Sequence, residues 1–242
     1  MPQLFGYQRY NVNSNSASIL PQPCRAYTIK RSRFKNSHSF IPMIRILLVD
    51  DHMIVRSALK FILRDLLPDA VVVETNNSTG TLAEIKKNNF DLIVLDMNLG
   101  DAHFNTLIRE ILHINFSTKI LVFTMNSPVF FAKHVLRSGA AGFLNKDASE
   151  KIIADAIQAV LAGKTYITPY SIVAENPFEA LSDKEFEIMI LVAKGKQPSE
   201  IASLLDIKPT TVTSHQKNIF AKLNVTTKGA LTQLALKYNL WQ

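Results

Sequence analysis

The feature that most constrains this chain is a fivefold alternation that begins at Met43. Short runs rich in Val, Ile, Leu and Phe occupy residues 44–49, 71–74, 92–95, 119–123 and 142–144. Amphipathic stretches at 52–66, 81–88, 103–113, 129–137 and 149–161 lie between and after them. A strand covered by helices on both faces carries no polar alternation. Continuous apolar runs separated by helical stretches therefore specify βα units and a parallel sheet buried on both sides. In such sheets ligands gather at the carboxyl ends of the strands, near the point where strand order reverses.

Those ends are polar in a particular order. Asp50 and Asp51 close the first run (ILLVDD), Asp96 the third (DLIVLD) and Thr124 the fourth (ILVFT), and Lys146 follows the fifth (GFLNK). Taken singly each has a bland reading, such as a turn or helix cap for the Asp pair. Four strand ends agreeing in one order is a stronger signal. Three carboxylates brought together repel one another, and a hard divalent cation with oxygen ligands removes that cost. Asp96 is then a candidate carboxylate nucleophile for a phosphoryl group. Thr124 is placed to hydrogen-bond a phosphoryl oxygen and Lys146 to pair with its charge.

The remainder of the 242 residues divides by charge. The net charge of +7 is concentrated at the two ends, with six basic residues and no acid in residues 1–42. Residues 1–42 are rich in Asn, Ser and Pro without sustained periodicity, which reads as a disordered basic extension. A transit peptide, a nucleic-acid-binding arm, or a start placed upstream of the true one at Met43 are its three readings. Cys24 is the only cysteine, which excludes an intramolecular disulfide and suits a reducing cytoplasm. No run approaches the ~18 apolar residues of a membrane span.

Residues 43–163 form the first expected domain, and 164–180, with two prolines and no clean helical period, read as a linker. The last segment, 181–242, is helical by its punctuation. Ser182 and Glu185 have capping-box spacing, with Leu181 and Phe186 as the accompanying staple. Gly195 suits a helix end, and Pro198 and Pro209 each suit a first helical position. Two short helices joined by Asp206-Ile-Lys satisfy a helix-turn-helix, and a fourth helix is expected near 227–238. After Asp206 no acid follows, while Lys208, Lys217, Lys222, Lys228 and Lys237 remain. Such a surface suits phosphates and base edges, against the blander reading of a small docking module with a basic face.

ILLVDDH, DLIVLDMN, ILVFT and SGAAGFLNKD together resemble the receiver domain of two-component response regulators, over all of 43–163. LVAKGKQPSEIASLLDIKPTTVTSHQKNIFAKLNV resembles the tetrahelical helix-turn-helix of LuxR-type regulators. The resemblance implies a flavodoxin-like (βα)5 α/β domain followed by an all-α DNA-binding domain. It implies that Asp96 accepts phosphate from a sensor histidine kinase. It implies Mg2+ held by Asp51, Asp96 and the carbonyl of Asn98, with Asp50 assisting, and places Phe143 at an aromatic switch position. In the second domain it makes 210–222 the recognition helix. Thr213, Ser214 and Lys217 then face the major groove of double-stranded DNA, and Lys208, Thr211 and Lys222 lie nearer phosphates. A homodimer in the phosphorylated state, with the fourth helix in the dimer contact, follows from the same resemblance.

Three departures are visible. Gly100 stands where the family usually has Pro and Phe104 where it usually has Gly, which bears on the lifetime of an acyl phosphate. Thr213 stands where Lys is frequent. Two other functions compete with the regulator. One is a phosphorylation-independent DNA-binding protein whose receiver serves as a dimerisation scaffold. The other is an aspartyl-phosphate phosphatase, against which Asn98 argues, because those enzymes place a carboxylate two residues after the nucleophile. The sequence is therefore read as a regulator and not as an enzyme.

Overall fold

The structure, a computed structural model, describes residues 43–100, 103–169, 176–238 and 240. The expectation for 1–42 lies outside them. Five βα units come first: β1 (Arg45–Val49), α1 (Met53–Leu66), β2 (Val71–Thr75), α2 (Ser78–Lys87), β3 (Leu92–Leu95), α3 (Phe104–Ile114), β4 (Lys119–Thr124), α4 (Pro128–Arg137), β5 (Gly142–Asn145) and α5 (Glu150–Leu161). The sheet is parallel, in the order β2-β1-β3-β4-β5-β6. Its sixth strand, β6 (Tyr166–Ile167), lies in the stretch expected to be linker. Two residues are too short to show a period. They pair because β5 would otherwise be an open edge, with Phe143 beside Ile167 in the ladder.

Burial follows the strand pleat. Ile46, Leu48, Leu92, Val94, Leu121, Phe123 and Leu144 point to the side of α1 and α5, where Leu59, Leu63, Ile153 and Ile157 meet them. Leu47, Val49, Ile93, Leu95, Ile120, Val122 and Phe143 point to the other face, against helices α3 and α4. Each such side chain contributes on the order of 1.5–3 kcal/mol when taken out of water.

Four helices follow: α6 (Asp183–Ala193), α7 (Pro198–Leu205), α8 (Pro209–Lys222) and α9 (Lys228–Lys237). The capping box at the start of α6 forms as its spacing requires. The Glu185 amide donates to Ser182 Oγ at 3.2 Å, and the Ser182 amide donates to Glu185 Oε2 at 2.8 Å. A second box, Gln197 with Glu200, precedes α7, whose first residue is Pro198. The α7–α8 turn passes through Asp206 at φ 50, a left-handed position that Asp tolerates better than most residues that carry a Cβ.

Helix α6 is apolar almost all round, and every residue from Glu185 to Ala193 is buried. A helix with no polar face must be covered on every side. Here α8 and α9 cover one side and the receiver's α4 end covers another. Phe178, Phe186, Phe130 and Tyr238 join the two domains in edge-to-face contacts with centroids 5.5–6.1 Å apart. The imidazole of His134 stacks on Phe186 at 4.1 Å. One apolar cluster thus runs from the sheet into the helical domain.

Candidate functional site

The backbone brings the strand ends together as the sequence order requires. The amide of Asp96 donates to the Val49 carbonyl at 2.8 Å, and that of Lys146 to the Thr124 carbonyl at 3.0 Å, so the ends of β1, β3, β4 and β5 are level. Asp50 and Asp96 are buried, at 2 % and 3 % exposed, and Asp51 is open to solvent. The ammonium of Lys146 bridges them, 2.7 Å from Asp50 Oδ2 and 3.1 Å from Asp96 Oδ2. One cation spanning two buried carboxylates offsets their repulsion only in part. Burial pushes the Asp96 carboxyl above its ordinary range, the Asp50 charge adds to this, and Lys146 and the Asn98 amide pull the other way.

The second oxygen of Asp96 matters most. Oδ1 is buried and has no hydrogen-bond partner. An orphaned charged oxygen costs free energy that a native fold rarely tolerates without a ligand to supply the contact. Single ligand atoms of Asp50, Asp51, His52 and Asp96 all lie within 4.8 Å of one another. This donor set fits a divalent cation. Thr124 is fully buried, and its Oγ1 accepts from the Asn126 amide at 3.3 Å. Asn98 accepts on Oδ1 from Asn126 Nδ2 at 3.4 Å, placing that side-chain pair beside the pocket. Phe143, at the expected switch position, is fully buried on the α4 side of the sheet.

Neither Gly100 nor Phe104 strains the described backbone after Asp96. Phe104 begins α3 with 7 % exposure, as core. Among the described residues only Asp206 and Asn224 take a positive φ without being glycine. The loop therefore does not ask Phe104 for a glycine conformation. A Cβ at Gly100 would meet nothing within 4 Å, so space does not require glycine there either.

On α8, Val212 and Ile219 are fully buried and hold the helix to the domain. Thr213, Ser214 and Lys217 lie on its exposed side, with Lys208 exposed at its N-cap and Thr211 half-buried. The hydroxyls of Thr213 and Ser214 donate back to the carbonyls of Pro209 and Thr210, both at 3.1 Å. Lys222 is engaged: its ammonium lies 2.6 Å from Glu185 Oε2, the same oxygen that caps α6. On α9, Leu231 and Ala235 are buried, while Leu236 is 53 % exposed and faces outward.

Five residues that sequence reasoning passed over join the two domains. His134 Nδ1 lies 2.6 Å from Asp183 Oδ1, with Arg137 3.4 Å from the same oxygen. His103 Nδ1 lies 2.7 Å from Glu187 Oε1, and both side chains are buried. Burial would raise the Glu187 carboxyl, yet His103 and Lys184 together hold it below the ordinary range. The signal available was Glu187 itself, a lone acid inside the apolar run FEIMILVA.

Residues 46–158 match the response regulator receiver domain, and residues 179–235 match the bacterial regulatory proteins of the luxR family. The response regulator UvrY of Escherichia coli K12 is 32 % identical over 211 residues, covering 82 % of this chain and 96 % of UvrY. The oxygen regulatory protein NreC of Staphylococcus carnosus is 32 % identical over 215 residues, covering 81 % of this chain and 99 % of NreC. Among solved structures, RcsB of Salmonella typhimurium superposes with a TM-score of 0.66 at 26 % identity, covering 81 % and 98 % of the two chains. RcsB from Salmonella enterica serovar Typhimurium bound to promoter P1flhDC in the presence of the phosphomimetic BeF3− gives 0.66 at 25 % identity, covering 81 % and 97 %. A parallel sheet with its acids at the strand ends, followed by a four-helix domain with an exposed basic helix, matches both halves of that architecture. The chain belongs to the two-component response regulators that join a receiver domain to a LuxR-type DNA-binding domain.

Proposed function

We propose that Asp96 is the phosphoacceptor of this regulator and that its phosphorylation by a sensor histidine kinase controls dimerisation on double-stranded DNA. The observation that carries this reading is the buried, unpartnered Oδ1 of Asp96, with Oδ2 held by Lys146. Mg2+, held by Asp51, Asp96 and the carbonyl of Asn98 with Asp50 assisting, would neutralise charge that otherwise repels a phosphoryl donor. Asp96 Oδ1 attacks phosphorus as the P–N bond of the kinase's phosphohistidine breaks. The leaving imidazole keeps the electron pair and takes up a proton. Lys146 then moves from the carboxylates to a phosphoryl oxygen, and Thr124 turns its hydroxyl from the Asn126 amide toward another. Phe143, buried next to Thr124's strand, transmits that rearrangement to the α4 face.

The outward face of α8 is already open, so control acts through the assembly of two copies rather than through uncovering the helix. Thr213, Ser214 and Lys217 would enter the major groove, with Lys208 and Thr211 at phosphates and Lys222 joining them on leaving Glu185. Leu236 on α9 supplies an apolar contact for a two-fold partner. Among the described residues no helix is long and apolar enough to cross a membrane. DNA and the phosphorylating domains of a sensor kinase are the partners of this reading, and they place the protein in the cytoplasm. Intact mass after incubation with acetyl phosphate and Mg2+ tests the assignment. The wild type gains one phosphoryl group and Asp96→Asn gains none; equal gain in both would move the acceptor elsewhere. Sedimentation and DNA titration of the labelled protein test the coupling. Identical mass and affinity with and without the phosphoryl group would favour a receiver that only scaffolds.

A further inference from the structure

His52 follows the acidic pair directly, and nothing in the phosphoryl-transfer reading uses it. It is the N-cap of α1 in an extended conformation (φ −87, ψ 109), yet its side chain makes no capping hydrogen bond. Its ring instead turns back over the pocket. Nδ1 lies 2.7 Å from Asp51 Oδ1 and 3.2 Å from Asp50 Oδ1. The main-chain amide of His52 donates to Asp50 Oδ1 at 2.9 Å, which fixes residue 52 against the carboxylate.

The position is that of a ligand. One ligand atom each of Asp50, Asp51, His52 and Asp96 lies within 4.8 Å of the others, and Nδ1 is the ring nitrogen that approaches the carboxylates of Asp50 and Asp51. Two donors on one ion, each at about 2.0–2.2 Å, sit at most ~4.4 Å apart, so the set needs to close only slightly. A second observation points the same way without involving the histidine: Asp96 Oδ1, on a residue 3 % exposed, lacks a partner. Lys146 occupies the Oδ2 atoms of Asp50 and Asp96, and Asp50 Oδ1 already accepts from the His52 amide, so Asp96 Oδ1 is the oxygen left without a partner.

Chemistry then distinguishes among ions. An all-oxygen set suits Mg2+, which demands near-octahedral geometry and keeps several waters. An imidazole nitrogen adds little for Mg2+ and much for borderline first-row ions, whose affinity rises from Mn2+ through Co2+. The neutral ring offers its lone pair at Nδ1 when the hydrogen sits on Nε2, and the ring is two-thirds exposed, so Nε2 can keep its hydrogen bonded to water.

We propose that His52 is a nitrogen ligand of the acidic pocket, giving it a preference for divalent transition ions such as Mn2+ and Co2+ over Mg2+. This rests on the reading of the pocket as a cation site, and the test separates the two. Mn2+ and Mg2+ are titrated calorimetrically into the full chain, into His52→Ala and into Asp51→Asn, and pulsed EPR is recorded on the Mn2+-loaded wild type. The expected result is nitrogen-14 modulation in the wild type that disappears in His52→Ala. The ratio of Mg2+ to Mn2+ dissociation constants falls at least tenfold in that variant, and Asp51→Asn weakens both ions. Mn2+ bound without nitrogen coupling, or an unchanged ratio in His52→Ala, overturns the role of His52 while leaving an oxygen-only site. Failure of both ions to bind the wild type overturns the cation site and this inference with it. The EPR readout on the wild type needs no variant to fold.

Discussion

Replacing His103 by Ala tests whether the contact between domains is held by charge. His103 sits on the receiver and Glu187 on α6, so the substitution breaks a contact across the interface and not one inside either domain. It gives α3 no capping hydrogen bond, so its loss does not unwind that helix. Glu187 is 2 % exposed and would keep only Lys184, at 3.1 Å on its own helix. Stranding a buried acceptor costs roughly 1–3 kcal/mol, and with Lys184 still present about 2 kcal/mol is the expected penalty on docking. At 1.4 kcal/mol per tenfold this is a shift of roughly 30-fold, so a parent docked at about 100:1 would fall to about 3:1. Separating the domains hydrates Glu187 and relieves the penalty. Spin labels on Lys86 of α2 and Lys228 of α9, both exposed and each replaced by cysteine in a Cys24→Ser background, report the distance by pulsed EPR. A long, broad component should appear in His103→Ala and grow by roughly 30-fold relative to the docked component over the parent, reaching about a quarter of the molecules from that starting ratio. Glu187→Gln, which removes charge and keeps volume, should show less. An unchanged distance distribution in His103→Ala would refute the electrostatic account and leave docking to the aromatic cluster. The pH dependence has a definite sign. A carboxyl held below its ordinary range stabilises the docked state above that range and ceases to do so as pH falls through its depressed value, so docking weakens on strong acidification.

Asp96→Asn should raise the thermal midpoint at neutral pH. The folded carboxyl is raised, so its charged form costs stability as pH climbs through the folded value, and the gain vanishes below the ordinary Asp range. A melting series in pH checks this, with each ~1 kcal/mol worth ~2–4 °C in a chain of this size. Lys208→Ala should lower the slope of log affinity against log salt by about 0.9 without changing sequence preference. Lys217→Ala should cost about 1–3 kcal/mol at the preferred site and relax base selection there. Gly142→Ala places a Cβ 2.8 Å from Leu121 Cδ1 and 2.9 Å from the Tyr166 carbonyl, which should displace β6 and cost about 1–3 kcal/mol by chemical denaturation.

The sheet was readable from sequence because buried parallel strands advertise themselves as apolar runs, and its chemistry because strand ends are where polar residues stand out. The capping box at Ser182 and the prolines opening α7 and α8 were readable for a similar reason, since each satisfies a local backbone need. Strand β6 was not, because two residues carry no period and its partner lies 24 residues earlier in the ladder. The outward position of Leu236 was not readable either, because the leucines of α9 do not all share one face. The pairing of Lys222 with Glu185 spans 37 residues and was invisible, although both were already named for other tasks. His52, His103 and His134 shared the same fate: a histidine declares its role only through its neighbours.

The shared aromatic cluster has a consequence for how the molecule is made. Phe130 and Phe131 on α4 are 6 % and 2 % exposed. The rings that meet them belong to Phe178, Phe186 and Tyr238, which leave the ribosome some 50 to 100 residues later. During that interval a receiver whose sheet is complete carries an uncovered pair of phenylalanines at its α4 face. The same patch is left behind by any truncation that ends after α5. A shortened receiver should therefore self-associate through α4, and exposed rings of that size are what holdase chaperones grip. The helical domain is thus the receiver's final surface as well as its output.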